Sequence, residues 1–536
     1  MTGGLLNLVS YGNPNVILNH NPSKTFFKFV YSKYTNFGLQ KFRIDYKGLR
    51  ALRLSEDSHF TFKIPRYAEL LMDTTLVITL PDIWSPIHPA SSANGNKFVG
   101  YDFKWIRDIG SHIIREIEVT IGGQTIQLFS GSYLHTLKQR DFSATKRELH
   151  DRMTGNVVEL NDPANANGNV NTYPNAYYQT TTNIEPSIRG RKLYIPLDMW
   201  FSRTSKMALP LASLQYNELH INVTLRPLRE LFTIRDVKDS ANNYPYIQPN
   251  FNVDTQQFYR FLQPPPNKEL TYEDFNTDWN ANVHLMATYC FLSDEEAKVF
   301  ASKNQEYLIK EIHEHSFKNV TGAKKVRLDS IGMVSNYTWF FQRSDVNLRN
   351  EWSNYTNWPY NSLPQKLTRA AITQGEPGIN PDGTFTGLMI TGDLHIENQK
   401  EILNDMAFVL DGKYRENLFD SGLYNYVEKY TRTSGGAQDG IYCYNFGINS
   451  SIDDLQPSGG INMSKFTNVE LEFTTYIPVL DPSATFTTIC NDNGIPIGTN
   501  KTSWSIYDYA FDLTVFEERY NILHFQSGNA ALKFAR

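Results

Sequence analysis

Alternation of apolar and polar residues with a period of two is the strongest pattern in this chain. Ile117-Glu118-Val119-Thr120-Ile121 alternates, Gly122-Gly123 interrupts, and Gln124-Thr125-Ile126-Gln127-Leu128 alternates again. Two glycines between such arms predict a β-hairpin, because glycine accepts the positive φ angles of turns that match strand twist. The period recurs in Leu219–Leu225, Val469–Thr474 and Phe511–Phe516. Each stretch places large apolar side chains on one face and wets the other, as in a sandwich strand. Helical signals are few. Ser293-Asp294-Glu295-Glu296 reads as a capping box opening a helix over Ser293–Asn304, and Lys400–Phe408 is a second helix candidate.

The strand pattern breaks between Arg226 and Asn280, where Pro264-Pro265-Pro266 cannot occupy a central strand. This stretch is expected to connect two β units. Asn161–Arg191 and Gln374–Phe385 read as long loops of the kind that project from one end of a sandwich. At 536 residues the chain exceeds one core, and all-β domains of roughly 200–250 residues would make two. Aromatics at 13% suit pleated surfaces, and 32 Gly with 25 Pro supply turns. An all-β fold of sandwiches follows, and sparse helices argue against an α/β enzyme.

A net charge of −5 disfavours direct nucleic-acid binding. The basic clusters Arg189-Gly190-Arg191-Lys192 and Lys324-Lys325-Val326-Arg327 read as solvated turns or strand edges. Cys290, Cys443 and Cys490 lie far apart, so no disulfide framework or Cys-rich zinc site is expected, though a single bridge stays open. No secretory leader and no membrane-spanning stretch is expected. N-x-[ST] sequons at Asn222, Asn319, Asn336, Asn354, Asn449, Asn462 and Asn500 read as chance in so Asn- and Thr-rich a chain.

Two constellations could carry chemistry. His313-Glu314-His315 puts two imidazoles on one strand face, as a cupin-like metal site requires, but no further ligand follows at a suitable spacing. Trp352, Tyr355, Trp358 and Tyr360 could stack on sugars, with Asp345 or Glu351 as acid and base. Packing at an interface or loop base is the better account of this aromatic run, Gln342–Tyr360. There is no G-x-S-x-G elbow, phosphate loop or dinucleotide fingerprint. No catalytic, cofactor-binding or metal-ligating residue is therefore assigned.

Ordered stretches along the chain resemble one family. They include Met1–Gly12, Tyr34-Thr35-Asn36-Phe37, Ile121–Ile126, Leu193-Tyr194-Ile195-Pro196-Leu197, Ala208-Leu209-Pro210-Leu211, Phe291–Glu296, the Gln342–Tyr360 run, Gln456–Ser464 and Tyr520-Asn521-Ile522-Leu523. Together they are similar to the major capsid proteins of nucleocytoplasmic large DNA viruses, and Arg226–Phe232 looks like the mimivirus-like and algal giant-virus members. The resemblance implies two consecutive eight-stranded jelly-roll sandwiches (a double jelly roll) with few short helices. The expected division is an N-terminal arm at 1–24, a first jelly roll at 25–230, an extended connection at 231–280 and a second jelly roll at 281–536. The implied function is structural and not enzymatic: homotrimeric, pseudo-hexagonal capsomers tiling an icosahedral shell, in a protein made in the host cytoplasm. Implied partners are neighbouring capsomers, minor capsid and penton proteins, and a nearby inner membrane, with no transmembrane segment and no direct nucleic acid. A carbohydrate-binding or cupin-like jelly-roll protein is the alternative.

Overall fold

The computed structural model describes residues 3–46, 48, 51–178, 184–240, 244–361, 399–436, 438–451, 456–478, 486–490, 496–501 and 509–534. The expected loop Gln374–Phe385 lies outside them. Eight principal strands among the described residues build a first unit: β1 (Phe37–Ile44), β2 (Ser58–Lys63), β3 (Leu70–Thr79), β4 (Ile114–Ile121), β5 (Gln124–Ser130), β6 (Lys192–Pro196), β7 (Leu219–Leu225) and β8 (His284–Leu292). One sheet runs β1-β8-β3-β6 and the facing sheet β2-β7-β4-β5. The second unit comprises β9 (Gln305–Phe317), β10 (Ala323–Leu328), β11 (Met333–Arg343), β12 (Leu403–Leu410), β13 (Lys413–Tyr414), β14 (Ile441–Asn445), β15 (Val469–Thr475) and β16 (Phe511–Gln526). Its sheets run β9-β16-β11-β14 and β10-β15-β12-β13, which is the first order with every strand number raised by eight. Two copies of one antiparallel topology therefore stand in a chain with no visible sequence repeat. Both are jelly rolls, in which the first and last strands lie side by side.

The alternating stretches form strands as their period dictates. Leu219–Leu225 and Val469–Thr475 each bury every second residue. The β4–β5 hairpin closes through Gly122 and Gly123, with φ of 59° and 83°, and Ile121 pairs with Gln124. Both turn residues need the left-handed region, where a side chain is strained.

Three expectations are corrected. The closing strand of the first jelly roll is β8, placed by the sequence in the second unit; it pairs with β1 from Phe37↔Leu292 to Ile44↔Leu285 and with β3 on its other edge. A jelly roll closes only when its last strand returns beside its first, a long-range requirement that local composition does not display. The stretch 231–280 is wound onto the first unit, not extended between units. Phe232–Arg235 pairs with Phe103–Trp105, and Phe258 and Phe261 are fully buried in the first core. Lys400–Phe408 is not a helix: β12 occupies it, paired with β15. Helices α1 (Gly131–Asp141) and α2 (Ala144–Thr154), whose sequences show no apolar period, connect β5 to β6. The helix after Ser293 is present as α3 (Asp294–Ser302), with Ser293 at the N-cap position but no side-chain cap bond.

The two cores meet. Trp339, Phe341, Leu513 and Val515 fill the second sandwich. Ile312, Phe340 and Phe516, on the other face of the same sheet, join the first unit's core, as do Ile309 and Leu523 farther along their strands. The β9-β16-β11-β14 sheet is thus covered on both faces, and β11 is buried almost without a break.

Candidate functional site

A building block is expected to hold its working features at interfaces, and the most ordered one here is the seam between the two jelly rolls. Its centre is a buried charge cluster. Helix α1 carries Arg140, whose Nη2 lies 2.7 Å from Glu518 Oε1 on β16. Arg140 Nη1 donates to Asn336 Oδ1 and Thr338 Oγ1 on β11, both at 3.1 Å, while Nε and Nη2 engage Asp141 at 2.8 Å. Tyr133 donates to Glu518 Oε1 at 3.0 Å, Asn336 to Oε2 at 2.8 Å, and Lys310 Nζ lies 3.8 Å from Oε2. Burial pushes the Glu518 carboxyl up, yet Arg140, Lys310 and Asn336 hold it down at about 2. Burial likewise pulls the Lys310 ammonium down, opposed by Glu518. The arginine fork matches a carboxylate and two acceptors at once, which gives the seam one register.

Strand alternation splits the adjacent acids of β16 between two environments. Glu517 faces the other way, accepting from Ser330 Oγ at 2.5 Å, with His315 Nε2 at 3.2 Å and Arg519 Nε against it. His315 of the H-x-H pair is thereby committed to Glu517, and His313 lies 3.8 Å from Glu311. No group of three His, Cys, Asp or Glu side chains suited to a metal occurs among the described residues.

The Gln342–Tyr360 run forms the second part of the seam. Asp345 is clamped by Arg343 at 2.7 and 2.9 Å and by Arg349 at 2.7 Å; burial opposes its charge, but these arginines hold it at about 2. Arg343 also lies 3.5 Å from the centre of the Tyr509 ring. Asn350 Nδ2 donates at 2.8 Å to the carbonyls of Arg229 and Phe232 in the first unit. Trp352 Nε1 donates to the Glu230 carbonyl at 2.9 Å, and its ring lies 4.1 Å from the Arg226 guanidinium. Tyr355 is buried against Phe340 at 4.4 Å. These aromatics staple the two jelly rolls together, and Asp345 is sealed between two arginines where no sugar reaches it.

Sequence reasoning named the run but missed Arg140 and Glu518. Their only signal was a charged pair, Glu517-Glu518, inside a strand otherwise set to be apolar. Asn336 and Asn354, two sequon positions, are buried and closed to glycans. Lys325 in the second basic cluster is bracketed by Glu470 and Glu472 at 3.3 and 3.7 Å, as a solvated strand edge would be.

Comparison with known proteins decides the family. A model described as the major capsid protein N-terminus matches residues 25–292, and one described as the large eukaryotic DNA virus major capsid protein matches 296–531. The chain belongs to the large eukaryotic DNA virus major capsid protein family. The major capsid protein of Phaeocystis pouchetii virus is 24% identical over 537 residues, covering 88% of this chain and 92% of that one. That of Paramecium bursaria Chlorella virus 1 is 23% identical over 541 residues, covering 100% of both. Among solved structures, the Faustovirus major capsid protein matches with TM-score 0.62 at 12% identity, covering 98% of this chain and 96% of that one. PBCV-1 VP54 matches with TM-score 0.60 at 20% identity, covering 96% and 100%. The fold of this capsid protein is thus a double jelly roll, and its homologues are structural proteins, not enzymes.

Proposed function

We propose that this major capsid protein forms homotrimeric, pseudo-hexagonal capsomers that tile an icosahedral shell. The supporting observation is the duplicated jelly roll fused through a buried seam. Three chains, each a rigid pair of like sandwiches, supply six near-equivalent wedges, and six wedges tile a plane. The rigidity of the pair matters, because a hinge at the seam would let the six-fold outline distort. In this reading residues 1–24 act as an arm outside the block. Contacts go to neighbouring capsomers and to minor capsid and penton proteins, and synthesis takes place in the host cytoplasm. The test is light scattering with electron microscopy of the purified chain. A mass three times the 61.6 kDa protomer and hexagonal blocks support the proposal; a persistent monomer at micromolar concentration overturns it.

A further inference from the structure

The segment before β1 is the one part of the described chain that carries large apolar side chains and gives them nothing to pack on. Short helices at Gly3–Val9 and Asn13–Asn19 bury no residue. Ile17 and Leu18 are 83% and 81% exposed, and Phe26 and Phe27 are essentially fully exposed at 104% and 99%. Phe29, Val30, Tyr31 and Tyr34 follow in the same state. Among the described residues, the hydrogen bonds of 3–36 stay within that segment. Monomeric proteins rarely leave so continuous an apolar surface uncovered without a partner for it.

Charge identifies the partner. Lys24, Lys28 and Lys33 are interleaved with the aromatics, and no Asp or Glu occurs before Asp45, although acidic residues outnumber basic ones in the whole chain, 56 to 51. A protein groove takes one apolar face of a helix and pairs its charges individually. Here the helix carrying Leu5, Leu6, Leu8 and Val9 has no charge to pair, and the cations alternate with Phe and Tyr in a stretch outside any helix. That combination fits the boundary of a lipid bilayer, where acyl chains accept apolar side chains from any direction, aromatic rings settle at headgroup level, and anionic headgroups attract lysine. No described helix is long and apolar enough to cross a membrane, so the segment would lie in the interface. We propose that residues 3–36 bind the surface of an anionic lipid bilayer.

The test is co-sedimentation of the full chain with vesicles of phosphatidylcholine, with and without phosphatidylserine, at low and high salt. Retention on the anionic vesicles, released by salt, is the expected result. The triple variant Lys24→Glu, Lys28→Glu, Lys33→Glu should bind more than about 100-fold more weakly, because loss of the three lysines alone accounts for about that factor and the introduced carboxylates repel an anionic surface. Ile17→Asn with Leu18→Asn should weaken binding on its own. Neither variant touches the folded body, so both should keep the parent's far-ultraviolet spectrum. Absence of vesicle binding, binding indifferent to the triple charge reversal, or arm-dependent association only with protein or with further copies of the chain overturns the proposal. Light scattering on the same samples keeps its failure distinct from a failure of trimer assembly. If trimers form, three arms acting together should tighten binding well beyond that of one.

Discussion

Replacing Arg140 with alanine should weaken the seam between the two jelly rolls. The side chain is 1% exposed and spans both units, holding Glu518 at 2.7 Å and Asn336 and Thr338 at 3.1 Å. Its removal leaves Glu518 buried with Tyr133, Asn336 and a more distant Lys310. Breaking a buried, hydrogen-bonded ion pair by deleting one partner costs about 3–5 kcal/mol, and the surviving Lys310 sets the lower end, about 3 kcal/mol. That is about a 150-fold change in the folding equilibrium. Urea unfolding followed by tryptophan fluorescence is the assay. Parent and Arg140→Ala should each unfold in one transition, the variant at the lower midpoint, because Asn350, Trp352 and the shared apolar core still couple the units. Arg140→Lys keeps the charge but loses the fork, and should recover only part of the loss. The double variant Arg140→Met with Glu518→Leu removes that pair, leaves Asp141 near Lys310, and should recover part of the loss seen in Arg140→Ala. Glu518 is held at about 2, so its contribution is complete above the ordinary glutamate range and vanishes only as the pH falls towards 2. A loss below about 1 kcal/mol for Arg140→Ala, or strict additivity in the double variant, would refute the reasoning.

Acid should weaken the first unit before it reaches the carboxylates. Burial, and then the nearby Lys138, push His150 down to about 4, and burial with His135 also pushes His112 down. The folded protein keeps these rings neutral, while the unfolded chain takes up protons below about 6.5, so the stability they contribute is present above that pH and lost towards 4. For His150 alone the loss is at most about 3 kcal/mol, and His150→Gln should flatten the fall in thermal midpoint between pH 7 and 4. Asn350→Ala deletes the bonds to Arg229 and Phe232 and places alanine at φ 54°, so its urea midpoint should fall by about 2–4 kcal/mol equivalent. Gly131→Ala would place a methyl 2.1 Å from the Ser111 carbonyl oxygen and should cost about 3 kcal/mol or more. Gly123→Ala, with open space around it but φ 83°, should cost only about 1–2 kcal/mol on the same denaturation assay.

Much of this protein was legible in one dimension, because a strand's period of two is a property of the residues themselves. The Gly122-Gly123 hairpin and the alternating strands at Leu219 and Val469 needed no partner to be recognised, and the ordered motifs from Met1 to Leu523 carried the family. What could not be read locally was everything set by return of the chain from far away. His284–Leu292 looked like the opening of the second unit and is the closing strand of the first, because pairing with Phe37–Ile44 fixes its place and that pairing spans some 250 residues of sequence. The segment before Phe408 carried a helical hint, but a place between two strands decided its conformation. Nothing in the sequence around Arg140 and Glu518 set them apart from surface charges. Only the apposition of the two sandwiches buried them, because a charge inside a protein is tolerable when a partner with the right geometry arrives from the other side, and no single stretch of sequence contains both.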